Sequence, residues 1–412
     1  MSEQALPLHT HIDGYGVEDN ELTVGGRRIS DLAREMGPGP FYVYDREIVK
    51  RRIAHLRKHL PDGMHLHYAV KANPMPALVN AIAPLVDGLD IASALEMRVA
   101  LDTGMSPKLM SFAGPGKRVP ELEQAVAAGI TVTIESETEM QRLEAIAAER
   151  QCRPRVAIRV NPDFELKTSG MKMSGGPKQF GIDSERVPDV IAHIAQSSLQ
   201  LVGIHIFCGS QNLKPDALVD AQHKSWALTS ELMTVLPYSL EWFNIGGGFG
   251  IPYFPGDAPL DIAPMGEALA EVQQALKAQS PDTDLVIELG RYIVGEAGLY
   301  VCEVVDRKIS RGRTYLVADG GLHHHLAASG NFGQIIRKNY PVLIGNRVHA
   351  ESPEVQSVVG PLCTPLDLLA DQMPMARGEI GDYVVVFQSG AYGPTASPIN
   401  FLSHPHPGEI LV

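Results

Sequence analysis

The chain has 412 residues with 35 basic and 48 acidic side chains, which gives a formal net charge of -13. This length predicts two or three compact units, and 44% hydrophobic with 20% charged residues is typical of a globular protein. The acidic balance, without a basic block, gives no electrostatic basis for binding nucleic acid. The first thirty residues lack the apolar run of a signal peptide or membrane span, so we expect a cytoplasmic protein without a membrane partner.

Eight short apolar runs recur between about residue 64 and residue 290, and helical patterns separate them. In one such pattern, residues 137–150, apolar side chains recur on one stripe, namely Met140, Leu143, Ile146 and Ala147. Eight strand–helix units predict a (β/α)8 TIM barrel, with an open doubly wound α/β sheet as the alternative. The predicted strands are 65–70, 89–92, 109–113, 130–134, 155–160, 201–207, 242–245 and 284–288.

The pattern changes after residue 290, where strand-like runs follow one another without helices. These runs, at 299–309, 314–320, 355–363 and 382–392, predict a mostly β domain. We therefore predict N-terminal strands that join this domain at 1–38, a barrel at 39–290 and the C-terminal β domain at 291–412.

The carboxyl ends of the barrel strands are the expected place for an active site, and Lys71 follows the first strand directly. Its neighbours Val70 and Ala72 are apolar, and burial among apolar groups lowers the pKa of a lysine toward the neutral amine that attacks aldehydes. An ordinary surface lysine at the end of a strand is the alternative.

A glycine run, Gly246, Gly247 and Gly248, follows the seventh strand and predicts a nest of backbone N–H groups for a phosphate-sized anion. Ser210 and Arg291, at the ends of the neighbouring strands, would add a hydroxyl and a cation. A structural turn explains the glycines alone equally well, but three adjacent strand ends favour the anion site.

Glu288 ends the strongly apolar eighth strand and is costly to bury without a cationic or proton-donating partner. A protonated pyridine nitrogen is one such partner, and an ion pair with Arg291 is the alternative. A lysine, a phosphate nest and a buried carboxylate together are the requirements of pyridoxal phosphate.

Nine motifs stand in one order along the chain: YAVKAN, DIASALE, RVNP, QFGI, IHIFCGSQ, NIGGGFG, ELGR, GPLC and SGAYG. In these motifs the chain resembles the fold-type III pyridoxal-phosphate decarboxylases, the family of the diaminopimelate, ornithine and arginine decarboxylases. Within that family, KMSGGPKQFG, DGGLHHH, GPLCTPLD and GAYGPTASPINFLSHP are most similar to the butirosin-biosynthesis and exosortase-associated decarboxylases. The resemblance covers nearly the whole chain and implies an alanine racemase-like barrel with a β domain.

The resemblance implies a decarboxylase that uses pyridoxal 5′-phosphate, with Lys71 as the covalent attachment point and Glu288 at the ring nitrogen. It implies a homodimer with active sites at the interface, in which Cys363 of one subunit returns a proton to the substrate carbon in the other. The phosphate would lie against Gly246, Gly247, Gly248, Ser210, Arg291 and Tyr392, and the lysine and ring would rest on Asp90 and Arg159.

Two departures from the family bear on function. Phe207 stands where the diaminopimelate enzymes carry a histidine that stacks on the ring; we predict that Phe207 stacks, with His205 as an alternative contact to ring or substrate. Thr364 stands where an acidic residue pairs with the far amino group of the substrate. This difference favours an amino-acid or aminoacyl substrate with a neutral or acidic far end, such as a glutamyl thioester on a carrier protein, unless Asp367 restores the charge.

Two further groups of residues invite a metal interpretation, which we do not favour. His323, His324 and His325 are adjacent and cannot all face one ion, so we expect one of them, His324, at the substrate entrance. The four cysteines are widely spaced and lack the spacing of a zinc site or disulfide framework. A diaminopimelate decarboxylase and an inactive regulatory homologue remain the alternative functions, and a racemase or a cofactor-free aldolase is less consistent with Glu288 and the glycine run.

Overall fold

The computed structural model describes residues 8–168, 170–334 and 336–412, and the chain divides into two compact units. The first, here called the β unit, contains the residues up to 51 together with 251–259 and 293–412. The second, the barrel unit, contains residues 52–250 and 260–292. The first seven residues of the predicted N-terminal segment lie outside the described residues.

The N-terminal part of the chain forms a small antiparallel sheet in the order β1-β2-β3. Asp45 begins the helix that follows, because its Oδ1 accepts hydrogen bonds from the backbone N–H groups of Glu47 at 2.8 Å and Ile48 at 3.1 Å. The elements are β1 (Gly16–Glu18), β2 (Glu21–Val24), β3 (Arg27–Arg28), α1 (Ile29–Met36), β4 (Phe41–Tyr44) and α2 (Arg46–His59).

The barrel unit contains the eight parallel strands that the sequence predicts, paired in chain order. The last strand pairs with the first, since Val286 lies opposite His65, and this pairing closes the sheet. The (β/α)8 barrel is therefore confirmed and the open sheet is excluded. Its strands are β5 (His65–Ala69), β6 (Gly88–Ile91), β7 (Met110–Phe112), β8 (Thr131–Ile134), β9 (Arg155–Asn161), β12 (Gln200–His205), β14 (Trp242–Gly247) and β15 (Asp284–Leu289); the short strands β10 (Met171–Lys172), β11 (Ile182–Asp183) and β13 (Gly209–Ser210) lie at strand ends.

The connecting helices bury one face each against the barrel. The helix predicted at 137–150 has these bounds in the structure, and all four residues of its predicted stripe are buried. In the described part of the chain, every helix is too short or too polar to cross a bilayer. The helices are α3 (Pro76–Ile82), α4 (Ala94–Asp102), α5 (Val119–Ala128), α6 (Glu137–Arg150), α7 (Val187–Gln196), α8 (Pro215–Met233), α9 (Ala263–Gln279) and α10 (Arg291–Val294).

The β unit is built on a sheet in the order β18-β21-β16-β17-β19-β20, and β4 joins it beside β16 and β22. All four residues of β4 are buried, and its backbone pairs with β16 and β22. The strand therefore belongs to this sheet and not to the barrel, which was predicted to begin at residue 39. The remaining strands are β16 (Gly298–Ser310), β17 (Arg313–Ala318), β18 (Val342–Ile344), β19 (Glu354–Val359), β20 (Leu368–Met375), β21 (Tyr383–Val386) and β22 (Gly408–Leu411).

Candidate active site

Lys71 and Glu288 meet at the carboxyl ends of two neighbouring barrel strands. Lys71 lies in a single 3-10 turn, Val70–Ala72, directly after β5, and Glu288 lies near the end of β15. The Nζ atom of Lys71 donates a hydrogen bond to Oε1 of Glu288 at 3.2 Å. The lysine side chain is 39% exposed, whereas the glutamate side chain is 4% exposed. The amine is therefore open to a small molecule, while the carboxylate lies behind it.

Glu288 is held as an anion inside the barrel. Its burial by itself raises the pKa of the carboxyl, but the charge of Lys71 and the contact with His205 outweigh burial and lower it. The second carboxylate oxygen lies 3.2 Å from Nε2 of His205, a close contact without the direction of a good hydrogen bond. His205 is buried, and its ring lies against the carboxylate of Glu288 inside the barrel.

Phe207 lies beside the amine of Lys71. The Nζ atom is 5.1 Å from the centre of the phenyl ring, and the ring itself is buried. The rings of His205 and Phe207 are 6.4 Å apart. Phe207 thus presents an aromatic ring near the amine. Its stacking on a cofactor ring stays a prediction.

The glycine run lies against the backbone that follows β12. A Cβ atom on Gly246 would lie 2.6 Å from the carbonyl oxygen of Ile206, and one on Gly248 would lie 2.3 Å from that of Gly209. Gly246 and Gly248 also have φ angles of 75° and 82°, which favour glycine. The structure thus brings the run next to Gly209 and Ser210, and only glycine fits at this close approach.

Arg291 opens α10 immediately after the eighth strand, as the sequence predicts. The preceding Gly290 packs closely, since a Cβ atom there would lie 2.8 Å from that of Ala72. Lys71 and Arg291 are therefore carried by backbone segments in direct contact.

Asp90 forms a buried polar cluster with two residues that the sequence did not single out. Its Oδ1 atom accepts a hydrogen bond from Ser111 at 2.6 Å and lies 3.2 Å from Nδ1 of His67. Burial by itself lowers the pKa of His67, but the charge of Asp90 outweighs burial and raises it. The Oδ2 atom of Asp90 is buried and has no hydrogen-bond partner among the described residues.

Arg159 is held by Glu135, a residue that the sequence motifs did not single out. Nη1 of Arg159 donates to Oε1 of Glu135 at 2.9 Å, and both side chains are buried. The guanidinium lies 4.9 Å from the ring centre of Phe180. A second buried ion pair, between Lys117 and Glu139 at 2.8 Å, lies next to the first.

Strand-end position was the available signal for Glu135, since it follows the predicted strand 130–134 as Lys71 follows 65–70. A histidine inside an apolar strand was the signal for His67. Lys117 and Glu139 carried no signal, because their pairing depends on how the loop after β7 meets the first turn of α6.

Cys363, Thr364 and Asp367 lie in the β unit, in the loop between β19 and β20. Cys363 is an exposed free thiol. Asp367 is buried, and its two oxygens accept hydrogen bonds from the backbone N–H groups of Leu322 at 2.6 Å and Leu362 at 2.8 Å. Its carboxylate thus joins this loop to the segment that follows β17, a geometry that supports a structural role more than contact with a substrate.

His324 has both ring nitrogens engaged within the β unit. Nε2 lies 2.9 Å from the carbonyl oxygen of Pro405, and Nδ1 lies 3.1 Å from the hydroxyl of Tyr300. Burial lowers its pKa to about 4, so the imidazole is neutral. This geometry favours packing over substrate contact. Tyr392 lies in the same unit after β21, with a left-handed φ of 54°.

The barrel residues fit pyridoxal phosphate by their chemistry. Lys71 offers an amine for an aldehyde carbon, Glu288 offers a buried carboxylate for a pyridine nitrogen, and Phe207 offers an aromatic face. The glycine run brings backbone rather than side chains to the neighbouring strand end, as a phosphate nest requires. Among the described residues, no three histidine, cysteine or carboxylate side chains are grouped for a metal ion.

Comparison with known proteins gives one family. Residues 46–295 match the model of the pyridoxal-binding domain of pyridoxal-dependent decarboxylases. The L-glutamyl-[BtrI acyl-carrier protein] decarboxylase of Niallia circulans is 38% identical over 380 residues, which cover 90% of this chain and 88% of the relative. The diaminopimelate decarboxylase of Aquifex aeolicus is 32% identical over 400 residues, 96% of this chain and 91% of the relative.

Solved structures agree with this assignment. A diaminopimelate decarboxylase from Helicobacter pylori, complexed with L-lysine, is similar with a TM-score of 0.83 and 25% identity, covering 93% of this chain and 94% of that one. This chain and that structure share a closed barrel and a separate mostly β domain. The family match over residues 46–295 and the relatives above 30% identity support the same assignment. From its fold, its strand-end chemistry and these relatives, the chain belongs to the fold-type III pyridoxal-phosphate-dependent decarboxylases and is an amino-acid carboxy-lyase.

Proposed function

We propose that the enzyme removes the α-carboxylate of a substrate whose far end carries no free ammonium group, and that Lys71 and Glu288 form the centre of its site. The observation that carries this proposal is the half-exposed amine of Lys71, 3.2 Å from a buried carboxylate and 5.1 Å from the ring of Phe207. Pyridoxal phosphate, when bound, supplies an aldehyde for the substrate amine and a ring that accepts the electrons left by departing CO2.

Each barrel residue then has a separate task. Lys71 would hold the cofactor through its amine, and the Nζ atom of the free lysine would hold a proton near the substrate Cα. Glu288 favours a protonated pyridine nitrogen, because its pKa is low and its charge is buried. Phe207 excludes water from one side of the amine. Asp90 and Arg159 support the lysine and ring from their own buried partners, His67 and Glu135.

The proposed phosphate residues are Ser210, Arg291 and the glycine run, all in the barrel unit. The same role for Tyr392 stays a prediction. Ser210 and the glycine run lie on segments in close approach, and Arg291 opens a helix. A hydroxyl, a guanidinium and backbone N–H groups are the donors that bind phosphate in proteins.

Thr364 supports a substrate with a neutral or acidic far end. A buried substrate ammonium requires a carboxylate partner. The nearby candidate, Asp367, has both oxygens bonded to backbone N–H groups. The Niallia circulans relative is named for an L-glutamyl group on an acyl-carrier protein, and we propose a similar aminoacyl substrate here.

A CO2-release assay with three substrates tests this proposal: a glutamyl thioester on a carrier protein, free glutamate and meso-diaminopimelate. We expect kcat/KM for the thioester to exceed that for meso-diaminopimelate by at least about 100-fold, because the far ammonium would be buried without a partner. Faster release from meso-diaminopimelate would instead assign the enzyme to lysine synthesis. Absence of release from all three, with cofactor bound, would favour a regulatory homologue.

We also propose a homodimer in which Cys363 serves the partner's site, in a reducing cytoplasmic setting that suits four free cysteines. Large apolar side chains are exposed close to Cys363 in the β unit, including Leu366 and Phe332. The Nδ2 atom of Asn331 bonds to the carbonyl oxygen of Leu366 at 3.3 Å, which joins these two apolar positions. Exposed large apolar residues that lie together are typical of an interface.

Mixing two inactive variants tests the shared site. Lys71→Ala and Cys363→Ala proteins, unfolded and refolded together, should recover about a quarter of wild-type activity, because half of the dimers are mixed and each carries one intact site. Each variant refolded alone is the control. If Cys363 acted within its own subunit, the mixture would show no recovery.

A further inference from the structure

The barrel mouth carries a segment, residues 170–181, that is tied to the rest of the barrel unit at both ends. At its start, Gly170 N–H donates to the carbonyl oxygen of Ser210 at 3.1 Å, and Met171 and Lys172 pair with Ser210 and Gly209. These bonds run to the strand end where the phosphate is proposed to lie. The position of this segment therefore affects Ser210 directly.

The middle of the segment is fastened by Asn161, the last residue of β9. Its Oδ1 atom accepts a hydrogen bond from Gly175 N–H at 3.2 Å, and its Nδ2 atom donates to the carbonyl oxygen of Gly176 at 3.0 Å. One amide side chain thus satisfies two backbone groups that would otherwise require water.

The end of the segment meets Arg159 and Glu135. Phe180 stacks on the guanidinium of Arg159 at 4.9 Å, and Gly181 N–H donates to Oε2 of Glu135 at 2.8 Å. The other oxygen of Glu135 accepts bonds from Arg159 at 2.9 Å and from Gly114 N–H at 2.7 Å. One carboxylate therefore joins β9, the loop after β7 and the end of the 170–181 segment.

We propose that Glu135 is a positioning residue that fixes Arg159 and the 170–181 segment together, and so holds Ser210 in place for the cofactor phosphate. The inference rests on the proposed site, but the fastening itself involves residues of this chain alone. Charge-assisted hydrogen bonds of this kind are stronger than neutral ones, and burial protects them from screening.

The substitution Glu135→Gln separates this role from simple stability. A glutamine has one acceptor oxygen, so it cannot accept from Arg159 and Gly114 on one side and from Gly181 on the other. Either Arg159 and Gly114 or Gly181 would then face the side-chain NH2 group of the glutamine, which cannot accept their hydrogen bonds. The control is Glu139→Gln, which also removes a buried carboxylate. Oε1 of Glu139 pairs with Lys117 at 2.8 Å and accepts a hydrogen bond from the backbone N–H of Glu135 at 3.4 Å, which a glutamine oxygen can still accept. Among the described residues, this carboxylate has no hydrogen bond to the segment.

Limited digestion with trypsin measures how firmly the 170–181 segment is held in the protein without cofactor. Lys178 lies in the segment and is half-buried. We expect cleavage after Lys178 to be about tenfold faster in Glu135→Gln than in wild type, because loss of one bond to a charged group raises the open population by that factor. In Glu139→Gln we expect a lowered Tm but wild-type cleavage at this position.

The same proteins are then titrated with pyridoxal phosphate. Glu135→Gln should bind it about tenfold more weakly or worse, in proportion to the faster cleavage. Equal cleavage in the two variants, or wild-type cleavage in Glu135→Gln, would overturn the proposal. If Glu135→Gln does not fold, Phe180→Leu removes the stack from a half-buried position and must give the same faster cleavage. Covalent attachment of the cofactor in Lys71→Ala, detected after borohydride reduction in a protein whose segment resists cleavage as in wild type, would instead count against the proposed site.

Discussion

Replacing Lys71 with alanine should abolish covalent binding of pyridoxal phosphate and lower CO2 release by at least about 1,000-fold. The reason is that Lys71 supplies the half-exposed amine beside Glu288 and Phe207 at the carboxyl ends of the barrel strands. The measurement is borohydride reduction of the holoenzyme, followed by mass spectrometry of its peptides, which should place the reduced cofactor on the peptide containing Lys71.

Lys117 provides the matched internal control for this experiment. It is also a barrel lysine paired with a glutamate, but its side chain is only 2% exposed and it donates to two backbone carbonyl groups as well. It should carry no reduced cofactor. Modification of Lys117, or of any other lysine in place of Lys71, would show that the site has been assigned wrongly.

Replacing Glu288 with glutamine should lower kcat by about 100- to 1,000-fold while the cofactor still binds. The neutral amide removes the buried charge that favours a protonated pyridine nitrogen, so the ring would accept electrons poorly. The absorbance spectrum and kcat, measured on the same preparation, check both parts of this prediction. Glu409→Gln is a suitable control, since that carboxyl bonds to Tyr44 at 2.8 Å within the β unit and has no proposed part in the reaction.

The substitution Glu288→Gln should also change how the stability of the protein depends on acid pH. Because the pKa of Glu288 is lowered in the folded protein, the folded state binds this proton less readily than the unfolded chain. The stabilisation is therefore present above the ordinary carboxyl pKa of 4.5 and is lost as the pH falls below it. Between about pH 5 and pH 3, the Tm of Glu288→Gln should depend less on pH than that of wild type. Parallel curves would mean that Lys71 and His205 do not stabilise the charge.

Local pattern was sufficient for the barrel, because each strand and helix of an α/β barrel buries a face that repeats along the chain. The apolar runs from 65–70 to 284–288 correspond to the eight strands, and the stripe at 137–150 corresponds to a helix with the same bounds. The strand Phe41–Tyr44 has the same apolar character but pairs with β16, about 250 residues later in the chain. Such a pairing is a long-range property, so the predicted and observed unit boundaries differ.

The sequence alone determined the barrel, the cofactor class and the position of Lys71 and Glu288 at strand ends, because strand order dictates which residues end at the same edge. Only the tertiary structure decided the partners of the buried charges. Asp90 with His67 and Arg159 with Glu135 are pairs of residues 23 and 24 positions apart in the chain. Asp367 and His324 likewise proved to have their polar atoms bonded inside the β unit. A buried charge must find a partner within hydrogen-bond distance, and here that distance is set by the register of neighbouring strands and by how their ends pack. No short-range pattern in the chain encodes that register.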